Sequence, residues 1–217
     1  MRFLLREQSY ERPLMAGKYE YRRDGDSVPT GAVEHWRLTA APDGYRFLRV
    51  DLDGRASSGH SYLYLAMLDE RGLVTRLQYR FWAEGWRIGG NVQREGHTAV
   101  ATHTVNGETT STEFALPASS ALWFPSVAGL GLVKAGDTLT LHGRAGSKQT
   151  LHPELATVQI EHTADGAEQI RWAGAQIRTI WRDAQTGWPQ RMARLAPDGV
   201  GLLTAVGTQH IKSSTIN

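Results

Sequence analysis

Eight histidines, at positions 35, 60, 97, 103, 142, 152, 162 and 210, are the first groups in this sequence that could ligate a metal or move a proton. His97 and His103 would share one strand face, but three side-chain periods put them about 20 Å apart, too far to hold one ion. No His-x-His pair and no His-x-Glu-x-x-His spacing occurs, so the histidines read as satisfied or surface groups. Asp51 and Asp53 place two carboxylates on one strand face. A calcium loop starting at Asp51 would need Gly at its sixth position and Glu at its twelfth, where the chain has Ala56 and Tyr62. Gly129, Gly131 and Gly136 lack the dinucleotide-binding spacing, and the run Ser57 to Ser61 lacks the Gly-x-Ser-x-Gly elbow. With no cysteine, thiolate chemistry and disulfides are excluded. We therefore assign no catalytic residue, no metal ligand and no cofactor from the sequence.

Arginine and tryptophan carry the remaining signal. The two stand side by side at Trp36–Arg37, Trp86–Arg87, Arg171–Trp172 and Trp181–Arg182. Neighbours on a strand point to opposite faces, so the expectation is a Trp-lined interior beneath an Arg-studded exterior. The reverse register would turn Arg76, Arg80, Arg87, Arg178 and Arg182 into the concavity, where they would suit an anionic head group. Twenty arginines against four lysines are interleaved with acids at a net charge of +2, which is no concentrated basic surface, and no nucleic-acid partner is expected.

The elements that must position these groups are strands. Short alternating runs are broken every eight to twelve residues by turns such as Ala41 to Gly44, Glu84–Gly85, Asn106–Gly107, Asp165–Gly166 and a second Ala-Pro-Asp-Gly at 196–199. Strands are expected at 2–7, 17–23, 32–39, 45–53, 61–69, 73–82, 86–94, 98–106 and 108–116. After an irregular stretch they resume at 137–144, 156–162, 168–173, 177–181, 190–195 and 200–207. So many sequential strands with short connections favour up-and-down pairing, and a sheet that wide must curl, close or split. The fold class expected is all-β: a single wide, strongly curved antiparallel sheet, half-barrel or barrel-like.

In the strand 73–82, Leu73, Leu77, Tyr79 and Phe81 form one face and Val74, Arg76, Gln78, Arg80 and Trp82 the other. The strand 61–69 is apolar on both, with Tyr62, Tyr64 and Leu68 opposing Leu63, Leu65 and Met67, so its outer face must be covered as well. The segment 117–135 combines Leu122, Trp123, Phe124, Val127, Leu130 and Val133 with prolines, serines and glycines. It is the only seam in what reads as one domain over 1–217. An apolar loop packs down onto something, here as a plug of the core or a lid over a cavity. A helical turn opened by Ser119 or Ser120 and stopped at Phe124 before Pro125 would fit it.

Composition agrees with a globular chain. Of 217 residues, 41% are hydrophobic and 21% charged, which suggests neither disorder nor a membrane protein. The longest apolar run, 121–133, is interrupted by Pro125 and Ser126 and falls short of a membrane span. The start, Met1 to Glu7, holds only three consecutive apolar residues, too few for a signal peptide, and with no cysteine the expected location is the cytoplasm.

At Gly17 to Tyr21, Asp69 to Leu73 and Trp181 to Asp183 with Trp188–Pro189, the chain resembles an uncharacterised bacterial β family with a wide curved sheet. Its order of parts, an opening Gly-Tyr strand, a long meander, an apolar Pro/Ser segment and a second meander, also resembles the LolA/LolB-like lipoprotein-carrier half-barrels. That resemblance implies an unclosed barrel whose concave face holds acyl chains or another apolar ligand.

The leading functional expectation is a non-catalytic protein that binds a hydrophobic or amphipathic, lipid-like small molecule in the concave face, through Trp123, Phe124, Tyr62, Tyr64, Tyr79, Phe81 and Trp86. The second is a structural or interaction module that covers its apolar surface by self-association, for instance as a homodimer. An enzyme of unknown class stands third.

Overall fold

In a computed structural model, residues 6–23, 29–143, 151–172, 176–195 and 202–211 are described. The strand expected at 2–7 and the second Ala-Pro-Asp-Gly turn fall wholly or mostly outside them. The first half of the chain contributes β1 (Arg12–Arg23), β2 (Pro29–Ala40), β3 (Arg46–Gly54), β4 (His60–Leu68), β5 (Val74–Ala83), β6 (Trp86–Glu95), β7 (Thr98–Val105) and β8 (Glu108–Ala115). The second half contributes β9 (Ala121–Trp123), β10 (Gly136–Gly143), β11 (Leu151–His162), β12 (Glu168–Trp172), β13 (Gln176–Arg182), β14 (Pro189–Leu195) and β15 (Leu202–Ile211). A single helical turn, α1 (Arg55–Ser58), joins β3 to β4.

The fifteen strands of the described residues form one sheet in the order β8-β7-β6-β5-β4-β3-β2-β1-β15-β14-β13-β12-β11-β10-β9. Every neighbouring pair is antiparallel except β9 with β10. The first and last described strands meet in the middle of the sheet, where β1 pairs with β15 from Met15–Ile211 to Arg23–Leu203. Right-handed strand twist accumulated over this width rolls the sheet up. It does not close by a ladder: β9 packs against β5 and β11 touches β7. The rolled edge is consequently covered on both faces, with Thr138 and Thr140 buried on one side of β10 and Leu139 and Leu141 on the other.

The inner face is the core, with Tyr19, Trp36, Val50, Tyr64, Tyr79, Val92, Ala101, Ile170 and Ile180 all buried. The expected alternation holds in β4, where Tyr62, Tyr64, Ala66 and Leu68 are buried and Leu63, Leu65 and Met67 half-buried. In β5 it needs one correction: Val74, expected outside, is buried, because a bulge after the Met67–Arg76 pair brings Val74 opposite Leu68. An extra residue in a ladder reverses the facing of what precedes it. The outer face of the central strands is partly covered by the segment that leads into β1. There Glu11 accepts two hydrogen bonds from the Arg49 guanidinium, at 2.6 and 2.7 Å, and another from Thr39. Arg49 is thereby buried to 4% exposure although it points away from the core.

The segment between β8 and β10 is a plug. Its expected helical turn at 119–124 is absent; the residues form β9 instead, because the parallel ladder to β10 at Ala121–Thr138, Leu122–Leu139 and Trp123–Thr140 satisfies their backbone. The turn comes later, as a 3-10 turn over Gly129–Leu132. Arg94 ties down the start of the plug through the carbonyls of Ala118 and Ser120.

Candidate functional site

Register defines two ends of the roll. One bears the turns at 41–45, 69–73, 163–167 and 183–188, and from it the plug enters. The other bears α1 and the turns at 84–85 and 106–107. We call them the plug end and the mouth.

The plug is held on the sheet by a buried carboxylate. Glu34, fully buried on β2, accepts the main-chain N–H groups of Val127 at 3.1 Å and Ala128 at 2.8 Å, and the hydroxyls of Tyr62 at 2.6 Å and Tyr21 at 2.9 Å. Burial raises its pKa above the ordinary carboxylate range, against the lowering pull of those hydrogen bonds. Burial, and next the charge of Glu34, push the hydroxyls of Tyr21 and Tyr62 well above theirs, so both stay protonated donors.

Beyond Glu34 the plug lies under aromatics. Phe124 stacks on Tyr64 with centroids 4.5 Å apart, and Trp123 meets Trp172 edge-on at 4.9 Å. Both are at 0% exposure. At the far side, Trp188 stacks on Trp36 at 5.0 Å and lies so close to Gly131 that a Cβ there would fall 2.0 Å from its ring. Arg182 closes this side, donating to the carbonyl of Leu130 and pairing with Glu168 at 2.9 Å.

Of the seven residues expected to bind a ligand, Trp123, Phe124, Tyr64 and Tyr79 form packed interior. Tyr79 donates to or accepts from Nδ1 of His103 at 2.8 Å. Burial, and next the charge of His152, lower the pKa of His103. The other three reach the mouth. Tyr62 touches Tyr21 at 3.3 Å and packs beside His60, whose ring stacks in turn on Phe81. Phe81 and Trp86 are half-buried on the inner face, in register with Ile88 and Ala83. Trp86 also borders an open hollow of about 600 Å³ with Trp82, Arg87 and Asn106.

The sequence reading of the Trp–Arg pairs is corrected on β13. Trp36 and Trp172 are buried and Arg37 and Arg87 exposed, as expected. Trp86 and Trp181 are only half-buried, and Arg182 points inward. β13 carries Arg178, Ile180 and Arg182 on its inner face, shared with buried Ile170 of β12. Trp181 lies outside, with Arg191 stacked on its ring at 4.6 Å. Arg76, Arg80 and Arg87 remain exposed, so the reversed register holds for β13 and not for β5 and β6.

Among the described residues no group of three or more His, Cys, Asp or Glu side chains could hold a metal ion, and no helix is long and apolar enough to cross a membrane. No protein-family model matches the chain, and no curated protein matches its sequence. Among solved structures it is similar to a beta-barrel-like protein of the domain of unknown function DUF1849 from Brucella abortus. The identity is 10% and the TM-score 0.39, over 93% of this chain and 99% of that one.

Proposed function

We propose that this chain is a non-catalytic binding protein that holds a hydrophobic or amphipathic, lipid-like small molecule in the concave face of the rolled sheet, at the mouth. The observation that carries this reading is the gradient of burial along the inner face. Towards the plug end, Leu48, Ala66, Leu77, Val92 and Ala99 are at or near zero exposure. At the mouth the inward-facing Phe81, Trp86, Val105, His103 and Leu203 are only half-buried. A concave surface that is part aromatic and part polar is the usual form of a small-molecule site. The resemblance to lipoprotein-carrier half-barrels, whose concave face takes acyl chains, agrees with it. In this reading Trp123, Phe124, Tyr64 and Tyr79 form the floor of the site, and Tyr62, Phe81 and Trp86 contact the ligand.

Self-association is the second reading, favoured by β8, an edge strand exposed along most of its length. Mass spectrometry of a lipid extract of the purified protein, with its mass in solution, separates the two. Bound acyl species on a monomer are expected. A clean extract from a dimer would instead support self-association.

A further inference from the structure

The mouth has a pair of cations without counter-ions among the described residues. One step beyond the Thr179–Ala193 pair of the β13–β14 ladder, Arg178 stands opposite Arg194 on the inner face. Like charges placed directly across a ladder repel one another. Neither arginine has a carboxylate partner among the described residues: Arg178 makes one hydrogen bond, to the carbonyl of Ile177, and Arg194 makes none. Arg178 is instead laid over the ring of Trp172, its guanidinium carbon 5.2 Å from the centroid. Both guanidinium charges are felt at the buried hydroxyl of Tyr21. From Tyr21 the contacts run on through Tyr62 and His60 to Phe81, so the cationic and aromatic walls belong to one surface. Two further inward polar atoms are buried without a partner among the described residues, Nε1 of Trp123 and Oγ1 of Thr140, side by side in the β9–β10 ladder and next to Trp172.

We infer that Arg178 and Arg194 form an oxyanion-binding subsite, and that the molecule held at the mouth is an amphipathic anion with a carboxylate or phosphate head on the arginine pair and its apolar part against Phe81 and Trp86. This inference rests on the ligand-binding reading above and specifies the ligand's chemical class. Two planar guanidinium groups offer the forked donors that match such oxyanions, and an anion between them relieves their mutual repulsion. The site also explains why the inner face tolerates an arrangement that is locally unfavourable: such violations of pattern collect at functional sites.

The test is calorimetric titration of the full chain, and of its Arg178→Gln, Arg194→Gln and doubly substituted forms, with dodecanoate, dodecyl phosphate, dodecanol and inorganic phosphate. The anionic amphiphiles should bind at least about tenfold more tightly than dodecanol, as charge-assisted hydrogen bonds imply. That preference should vanish in the double variant while dodecanol binding persists. The variants should melt no lower than the parent, since each removes one of two repelling charges. Equal affinity for dodecanoate and dodecanol, or an equal loss of both on substitution, overturns the subsite and leaves the binding-protein reading standing. Arginine-dependent binding of inorganic phosphate without any amphiphile upholds the oxyanion subsite for a free phosphate and overturns the lipid-like ligand. Absence of binding by all four overturns both.

Discussion

Glu34 and Glu11 show how two carboxylates on one sheet acquire opposite pH signatures. At Glu11, burial would raise the pKa, but the hydrogen bonds from Arg49 and Thr39 outweigh it and hold the group below its ordinary value. Its contribution to stability is present above the unfolded pKa and lost as pH falls through the lowered folded value. At Glu34 burial outweighs the hydrogen bonds from Tyr62, Ala128, Val127 and Tyr21, and the pKa is raised. Its contribution is fully present below an unfolded pKa of about 4.3 and lost as pH rises through the folded value. Denaturation followed as a function of pH should therefore show a decline in stability just above that pKa, and Glu34→Gln, which cannot ionise, should flatten this part of the curve. Glu34→Ala leaves four donors without an acceptor, and the expected cost at neutral pH is about 3 kcal/mol or more. A variant that melts like the parent would show that the carboxylate does not hold the plug. In the sequence one acid in an alternating strand looks like a solvent-facing residue, and only its parity, in step with Trp36 and Leu38, marks Glu34 as inward.

At the scale of the element, the plug is a piece of core supplied from outside the meander. The excess of aromatic residues between Leu116 and Val133 revealed in the sequence that this loop had to pack down. Its β9 ladder could not be read there, because three residues give no periodicity and the partner, β10, follows the loop. Trp123→Ala with Phe124→Ala should lower the melting temperature sharply, since truncating each buried aromatic costs about 3–5 kcal/mol. If these rings formed a lid over empty space, the same change would weaken binding of an apolar probe and leave the melt in place. Gly131→Ala drives a methyl into the Trp188 ring and should destabilise by about 1–3 kcal/mol. Tryptophan fluorescence would report it through Trp188 and Trp36, and an unchanged spectrum and melt would refute the close approach.

At the scale of the whole molecule, one sheet joins residues from both ends of the chain. β1 lies between β2 and β15, so the two meanders share a central ladder and the plug bonds to strands of both. We expect one calorimetric unfolding transition with matching calorimetric and van 't Hoff enthalpies. Two separated transitions would place a domain boundary in 117–135. Because the β1–β15 ladder pairs residues nearly the whole chain apart, folding should also be slow for a chain of this size, which stopped-flow refolding would measure.

The class and much of the local order were legible in the chain alone: antiparallel strands, their turns, the two-residue alternation of β4 and the inward packing of the apolar segment. These are set by neighbours in the chain, through turn chemistry and side-chain period, and so are legible one window at a time. Long-range packing alone settles that the edge strands are β8 and β9, that Trp123 and Phe124 fill the roll, and that Arg178 and Arg182 face inward. Alternation reveals two faces of a strand but not which is concave, because a mixed Trp/Arg strand is amphipathic either way. That choice is made by the ladders on each side of β13, which bind its facing to that of buried Ile170 and Met192, and those ladders join strands that no single window of sequence contains.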